Sequence, residues 1–433
     1  HRLQIKQARH LLALQQIDKA LALVYAILES DGLPLDLQFE TLLLQGWLDP
    51  VINEGYSRQR ATLSTQVRDQ QLLGEYWRSV ARARTHRGNV AEAYESSLRA
   101  LTYYESCKDY AGQTLALHTH AICCVHLEKL LEARTHLERA FQWAGPRQDI
   151  GAINLLHQIF GMVASRLGDH SAAIHSYHET LRAEHQVGRR IDRMMDMNLA
   201  LEYALLGKYV DAHRHYESAL KTIATESHME RQECYIRLNL GLLYHTIGKQ
   251  QPALAETERA LALARKLQNV YLEGYALTNL GHVHCALGSY SIAESAYQAA
   301  LALREQHGET ILALETKAGL ARLTFSTDNL TLAQEWIGPI LRHLESATLD
   351  GAEEPFRVYL TCYLILNVAG DSRATSLATQ MQAELRRQAM LISDLTLRDS
   401  FLTNVPYHRA ILSLAQFPVS LGEGYANLSL YSG

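Results

Sequence analysis

The sequence predicts an all-α solenoid of about ten antiparallel helix hairpins laid side by side. Three observations carry that expectation. A turn-forming residue recurs at Gly88, Glu128, Gly168, Gly207, Gly248, Gly288 and Asp328, at spacings of 40, 40, 39, 41, 40 and 40 residues. Columns of small residues keep step with it. The 433 residues hold only 8 Pro and 25 Gly with 47% hydrophobic residues, which favours long helices around a sizeable core.

The columns define the hairpin. Five residues past each turn lie Ala93, Ala133, Ala173, Ala212, Ala253, Ala293 and Ala333. Twelve past it lie Ala100, Ala140, Thr180, Ala219, Ala260, Ala300 and Ile340. Seven before it lie Ala81, Ala121, Gly161, Ala200, Gly241, Gly281 and Ala321. Helix axes 8–10 Å apart leave no room for bulk at such contacts. Gly281, inside a helix, costs about 1 kcal/mol against alanine. It is expected to return that by close packing on the second helix of its own hairpin.

Weaker copies flank the regular block. "LLALQQIDKALALVYAIL" turns at Gln15 with Ala20 in the alanine column, and "LLLQGWLDPVINEGYSRQRATL" turns near Asn53 with Gly46 in the small column. A late copy turns at Gly370. The outer hairpins are less regular, as terminal repeats tend to be. The expected layout is a solenoid over 1–390, capping helices over 391–416 and an irregular tail over 417–433. The chain begins at His1, near the start of a first helix, and is expected to be a piece of a longer protein.

Composition narrows function. A net charge of -5 gives no case for direct nucleic-acid or membrane partners. The six cysteines form no CxxC pair, so neither a disulfide framework nor a zinc knuckle is expected, and a reducing, cytoplasmic setting fits better. No phosphate loop, dinucleotide fingerprint, HExxH or GxSxG is present. No enzyme activity and no cofactor are expected.

The hairpins resemble the tetratricopeptide repeat. Leu240, Gly241, Tyr244, Gly248, Ala253 and Ala260 match that family's positions in order. The period of 40 departs from the usual 34. It is similar to the longer units of kinesin light chain, Pins-type adaptors, bacterial Rap-type peptide receptors and MalT-like regulators. The resemblance implies a right-handed superhelix with a concave groove lined by first helices. "LRDSFLTNVPYHRAILSLA" (397–415) resembles endings of repeat arrays in bacterial STAND-type signalling ATPases, which implies an upstream ATPase or switch domain in the parent chain. The same residues also read as a cap: Phe401, Leu402, Val405, Ile411 and Leu412 covering the last hairpin, with Pro406 opening a new helix.

Candidate contact residues follow from the frame. Asn198, Asn239 and Asn279 lie nine residues before three successive turns. An amide offers a donor and an acceptor without charge, which suits a peptide backbone. In the family this position contacts an extended peptide; the competing use is a bond to a neighbouring helix. The same wall is expected to carry Met194, Met197, Tyr235, Leu238, Leu242, His245, Tyr275, Thr278 and His282, with Arg78, Arg82, His118 and Arg166 towards the N-terminus and Arg322 towards the other end. The methionines equally suit ordinary packing. His118–His120, His213–His215 and His282–His284 are pairs two apart on helices, pointing about 200° apart, so no pair can chelate one ion. His175 and His178 share a face but lack a further ligand. No metal site is expected.

The sequence thus points to a binding module for a protein or peptide segment, the sensor or scaffold arm of a bacterial signalling protein. The alternative is a receptor for a small molecule such as an oligosaccharide, its aromatic residues stacking on sugars.

Overall fold

In the computed structural model the described residues are 1–13, 16–48, 54–86, 89–147, 149–187, 194–224, 229–349 and 351–414. Gln15, Asn53, Gly88, residues 415–416 of the expected cap and the expected tail lie outside them. Among the described residues there are 22 helices and no strand.

Two compact units divide the chain. The first holds 1–167 and 178–187, the second 168–177 and 188–433. The first contains α1 (Arg2–Ala13), α2 (Ile17–Leu28), α3 (Leu35–Leu48), α4 (Glu54–Ser64), α5 (Gln70–His86), α6 (Val90–Ser106), α7 (Tyr110–His126), α8 (Leu130–Arg147) and α9 (Ile150–Arg166). The residues of α10 (His170–Val187) are divided between the units. The second contains α11 (Met195–Leu205), α12 (Tyr209–Ile223), α13 (Glu230–Thr246), α14 (Gln250–Lys266), α15 (Val270–Ala286), α16 (Tyr290–Gln306), α17 (Thr310–Ser326) and α18 (Leu330–Leu344). It ends with α19 (Pro355–Val368), α20 (Arg373–Leu391), α21 (Leu395–Thr403) and α22 (Pro406–Ser413). In chain order α1 to α20 pair off as the ten expected hairpins, and Pro406 opens α22 as expected.

The spacing has a local cause. Glu128, Gly168, Gly207, Gly248, Gly288, Asp328 and Gly370 all have φ between 58° and 79°. At each the helix is ended by a left-handed residue. The amide of Ser289 then reaches back to His284 O at 2.9 Å and that of Gly288 to Cys285 O at 3.1 Å, the Schellman pattern. Lys108 (56°), Gln268 (50°) and Gly308 (71°) are left-handed in the same way between hairpins. Both kinds of link therefore stop a helix in the same way. Asp109, Asp149, Asn269 and Asn329 start the next helix by accepting the amide three residues on. Helices α5 to α9 begin at 70, 90, 110, 130 and 150, so the physical step is one helix and one short link, half the sequence period.

The small columns sit where helices touch. Every residue of the +5 and +12 columns, bulky Ile340 and Thr180 included, is 0% exposed. A Cβ at Gly281 would meet the Tyr297 ring at 2.4 Å, on the second helix of its own hairpin as expected. A Cβ at Gly319, one hairpin on, would meet the same ring at 2.5 Å. The phenol is thus held between two glycines, and its hydroxyl lies 2.6 Å from His282 Nδ1. In the first unit Tyr104 sits in the same way against Gly74 and Gly112.

Gly281→Ala therefore sets helix propensity against overpacking. The ring has no room to retreat, so the substitution should destabilise the chain by about 1–3 kcal/mol. In a Tyr297→Leu background the same change should cost far less, a coupling that a double-mutant cycle in urea measures. A Gly281→Ala variant more stable than the parent would contradict the packing argument.

Candidate functional site

The first helices of the second unit, α11, α13, α15 and α17, carry most of the expected contact residues. Several of their polar groups are covered. The link between α18 and α19, with the start of α19 and with α22, lies over them. Glu315 of α17 accepts the backbone amides of Glu353 at 3.2 Å and Glu354 at 2.8 Å. Tyr271 of α15 donates to the Glu353 carboxylate at 3.0 Å. Arg322 of α17 donates to Arg357 O at 3.3 Å and to Thr361 Oγ1 at 2.5 Å. The Tyr407 ring of α22 lies 5.9 Å from the guanidinium of Arg322 and 5.5 Å from that of Arg357.

The histidines belong to the same cluster. His245 and His282 stack with centroids 6.0 Å apart, and both are buried. His245 Nδ1 lies 2.9 Å from Gln250 Oε1, an acceptor, so that nitrogen carries the proton. Its Nε2 then faces Arg357 Nη2 at 3.5 Å as an acceptor. Burial pulls His245 down to about 3, aided by the charges of Arg357 and Arg322. Burial likewise holds His282 well below its ordinary range. Burial pushes Glu315 up to about 7, and the carboxylates of Glu353 and Glu354 add to that.

The C-terminal helices close over this unit at its other end. Ser400 Oγ donates to Leu206 O at 2.7 Å, and Asn404 Nδ2 to Gly207 O at 3.5 Å. A Cβ on Gly207 would lie 2.7 Å from Asn404 Cβ. The amide of Asp394 donates to Ser171 Oγ at 3.2 Å. The rings of Phe356, His408, Phe401 and His170 follow one another at 4.8, 4.2 and 6.5 Å. So α21 and α22 cover the last hairpin, with Phe401 and Ile411 buried, and also clasp turns near residues 170 and 207.

The expected contacts are thus dispersed by environment. Asn239 Oδ1 accepts from the Tyr275 hydroxyl at 3.2 Å, and Asn279 donates to Leu238 O at 3.3 Å. Both bonds lie within the array, linking α13 to α15. Thr278 meets Thr316 at 3.3 Å, linking α15 to α17. Tyr275 and Leu238 are buried. Met194, Met197, Asn198, Tyr235 and Leu242 are half-buried, and Met197 packs on the core. In the first unit Arg78 and Arg82 lie close enough for their charges to add to the burial that holds His118 at about 4. Arg166 pairs with Glu128 at 2.5 Å and with Val125 O at 3.2 Å.

Sequence reading missed Glu315, the Glu353–Glu354 pair, Arg357, Ser400, Asn404 and Tyr407. One signal was available: "EEP" at 353–355, an acidic pair ahead of a proline that opens α19. Periodicity cannot show which distant helix such a link will meet.

The buried cluster has a pH signature. His245 and His408 have folded values of about 3 and about 4, against about 6.5 when exposed. The stability they lend is full above about 6.5 and lost as pH falls towards those values. Glu315 runs the other way: its contribution is full below about 4.5 and lost as pH rises to about 7. His245, His282 and His408 outnumber the two carboxyls that burial raises, Glu315 and Glu353, so acidification from neutrality to about pH 5 should lower the melting temperature. His245→Gln should lose less over that interval than the parent, as read by circular dichroism. Equal losses would exclude His245 from the effect.

No family model and no curated protein matches the chain. Solved structures do. The apo form of the quorum sensor NprR from B. thuringiensis superposes with a TM-score of 0.62 at 14% identity, over 80% of this chain and 96% of that one. NprR in complex with its cognate peptide NprX gives 0.50 at 15%, over 88% and 98%. A Rap protein complexed with competence and sporulation factor gives 0.52 at 17%, over 82% and 99%. No described helix is long and apolar enough to cross a membrane. At these identities the likeness is one of fold, and the chain is an array of tetratricopeptide-type helix hairpins.

Proposed function

We propose that this chain is a non-catalytic module that binds a protein or peptide segment on the first-helix wall of its second unit. The carrying observation is that this wall already grips an irregular stretch of its own chain through the backbone. Glu315 takes two successive amides of the 353–354 link, and Arg322 takes the carbonyl of Arg357. The Glu315 contacts address main-chain amides ahead of a helix and tolerate many side chains. The partner segment would add to the half-buried strip of Met194, Met197, Asn198 and Tyr235, and would compete with residues 353–357 for Glu315 and Arg322. Asn239 and Asn279 tie α13 to α15, and His245 and His282 lie buried on the same two helices. Arg78, Arg82 and Arg166 would offer a second, basic contact in the first unit.

The printed description of NprR with its cognate peptide NprX supports a peptide as the class of ligand. The resemblance of 397–415 to STAND array endings supports a sensor or scaffold arm in a larger bacterial regulator, in the cytoplasm, with an upstream switch domain. In such a parent, occupancy would shift the balance between clasped and released forms of α21 and α22.

A random extended-peptide library, panned against the full chain, tests the reading. Selected peptides should bind several-fold more tightly to Ser400→Arg/Asn404→Arg, in which the clasp is weakened. Asn198→Ala/Tyr235→Ala should weaken them by at least about tenfold, roughly 1.4 kcal/mol, without a matching fall in melting temperature. Failure of both the parent and the opened variant to enrich any peptide would remove the proposal.

A further inference from the structure

The geometry points to a mononuclear divalent-metal site in the first unit, built by His120, Glu132 and His136 and suited to zinc. It is independent of the binding wall in the second unit.

The three ligands come from two helices of one hairpin. His120 is on α7; Glu132 and His136 are four apart on α8 and share a face. One ligand atom from each lies within 4.8 Å of the others. His120 Nε2 is 3.4 Å and His136 Nε2 is 3.7 Å from the same oxygen, Glu132 Oε1. Ligand atoms about 2.0–2.1 Å from a tetrahedral zinc stand roughly 3.3–3.4 Å from one another. The 3.4 Å separation matches that value, and small side-chain shifts would bring the third ligand to it.

The hydrogen bonds behind His120 fix which atom faces inward. Ser97 Oγ donates to Tyr94 O at 2.6 Å and lies 2.7 Å from His120 Nδ1. A hydroxyl has one proton; with it on Tyr94 O, Ser97 accepts at His120 and Nδ1 carries the hydrogen. The neutral ring then turns the Nε2 lone pair towards a carboxylate oxygen. In that tautomer two acceptors face each other inside a hairpin where His120 is 0% exposed. A cation bound by both, set off the line between them, removes that conflict.

The surroundings resemble a supporting shell. Tyr94 donates to Glu132 Oε1 at 2.6 Å, orienting the carboxylate as Ser97 orients the imidazole. Lys129 lies 3.8 Å from the other oxygen, Oε2, with its ammonium 4.0 Å from the Tyr94 ring centroid. That side chain is half-exposed and reaches water, so it weakens the site without filling it. Two imidazoles and a carboxylate favour zinc over calcium or magnesium and leave one position for water or a ligand. His118–His120 could not be a pair because the partners of His120 lie on the next helix.

Zn(II) titration of the chelator-treated full chain against a chromophoric competitor tests the assignment, with Co(II) as a spectroscopic probe. One equivalent should bind, and Co(II) should give the intense visible bands of a low-coordinate site. His136→Gln and Glu132→Gln, both at partly exposed positions, should each remove that equivalent and the bands. Ser97→Ala should weaken affinity at least about tenfold, although Ser97 touches no metal. Circular dichroism melting in chelator shows whether each variant is folded, and either ligand variant alone is sufficient. Retention of the equivalent in both folded ligand variants, or no bound equivalent in the parent, would overturn the assignment.

Discussion

Close approach of helix backbones is the constraint on which the rest of the structure depends. A single amphipathic hairpin leaves one face uncovered, so each must lean on the next. The contact is only as good as the smallest residue at it. That is why the +5 column is alanine throughout and why glycine is tolerated at 241 and 281 in spite of its helix cost. The space so gained is filled by a ring or a hydroxyl from the facing helix. Tyr297 between Gly281 and Gly319, and Thr257 against Gly241, show the two sizes of filler.

This arrangement explains how much was legible in advance. Turn residues have their conformation written locally: only a residue that accepts positive φ can end one helix and aim the next so quickly. Seven of them in register, with alanines at fixed offsets, specify the hairpins and their order. The half-period of one helix and one link was less visible, because the links between hairpins use Lys108 and Gln268 as readily as Gly308. At those positions side-chain identity is only weakly constrained.

The contact residues were legible in type but not in partner. An asparagine on a first helix can bond a ligand's backbone or a neighbour's, and the chemistry asked of it is the same. Asn279 has found Leu238 O and Asn239 has found Tyr275. Glu315 and Arg322 make the same kind of contact with a segment that follows them in the chain. Nothing in a 40-residue pattern encodes that return, since the link is outside the repeat and its partners are one or more hairpins back. Burial then follows from the return rather than from the helices themselves. His245 is neutral because it is buried beside Arg357, and Glu315 is hard to ionise because it is buried, with two more carboxylates of the link adding to that.

Repeating positions and chemical positions are therefore different sets, and the few overlaps are informative. Tyr216 and Tyr297 fill the column nine residues past the turn, where they pack; Ser97 stands there in an earlier hairpin. Replacing a phenol by a hydroxymethyl group gives up packing area, and the space is taken by the buried imidazole of His120, whose orientation Ser97 fixes. A core built only for stability would place an apolar side chain at that gap, because a buried polar group that lacks a partner costs about 1–3 kcal/mol. The substitution makes sense where the imidazole must present a lone pair in one direction. Departures of this kind from the repeat, rather than the repeat itself, mark where an array of near-identical bricks acquires individual chemistry.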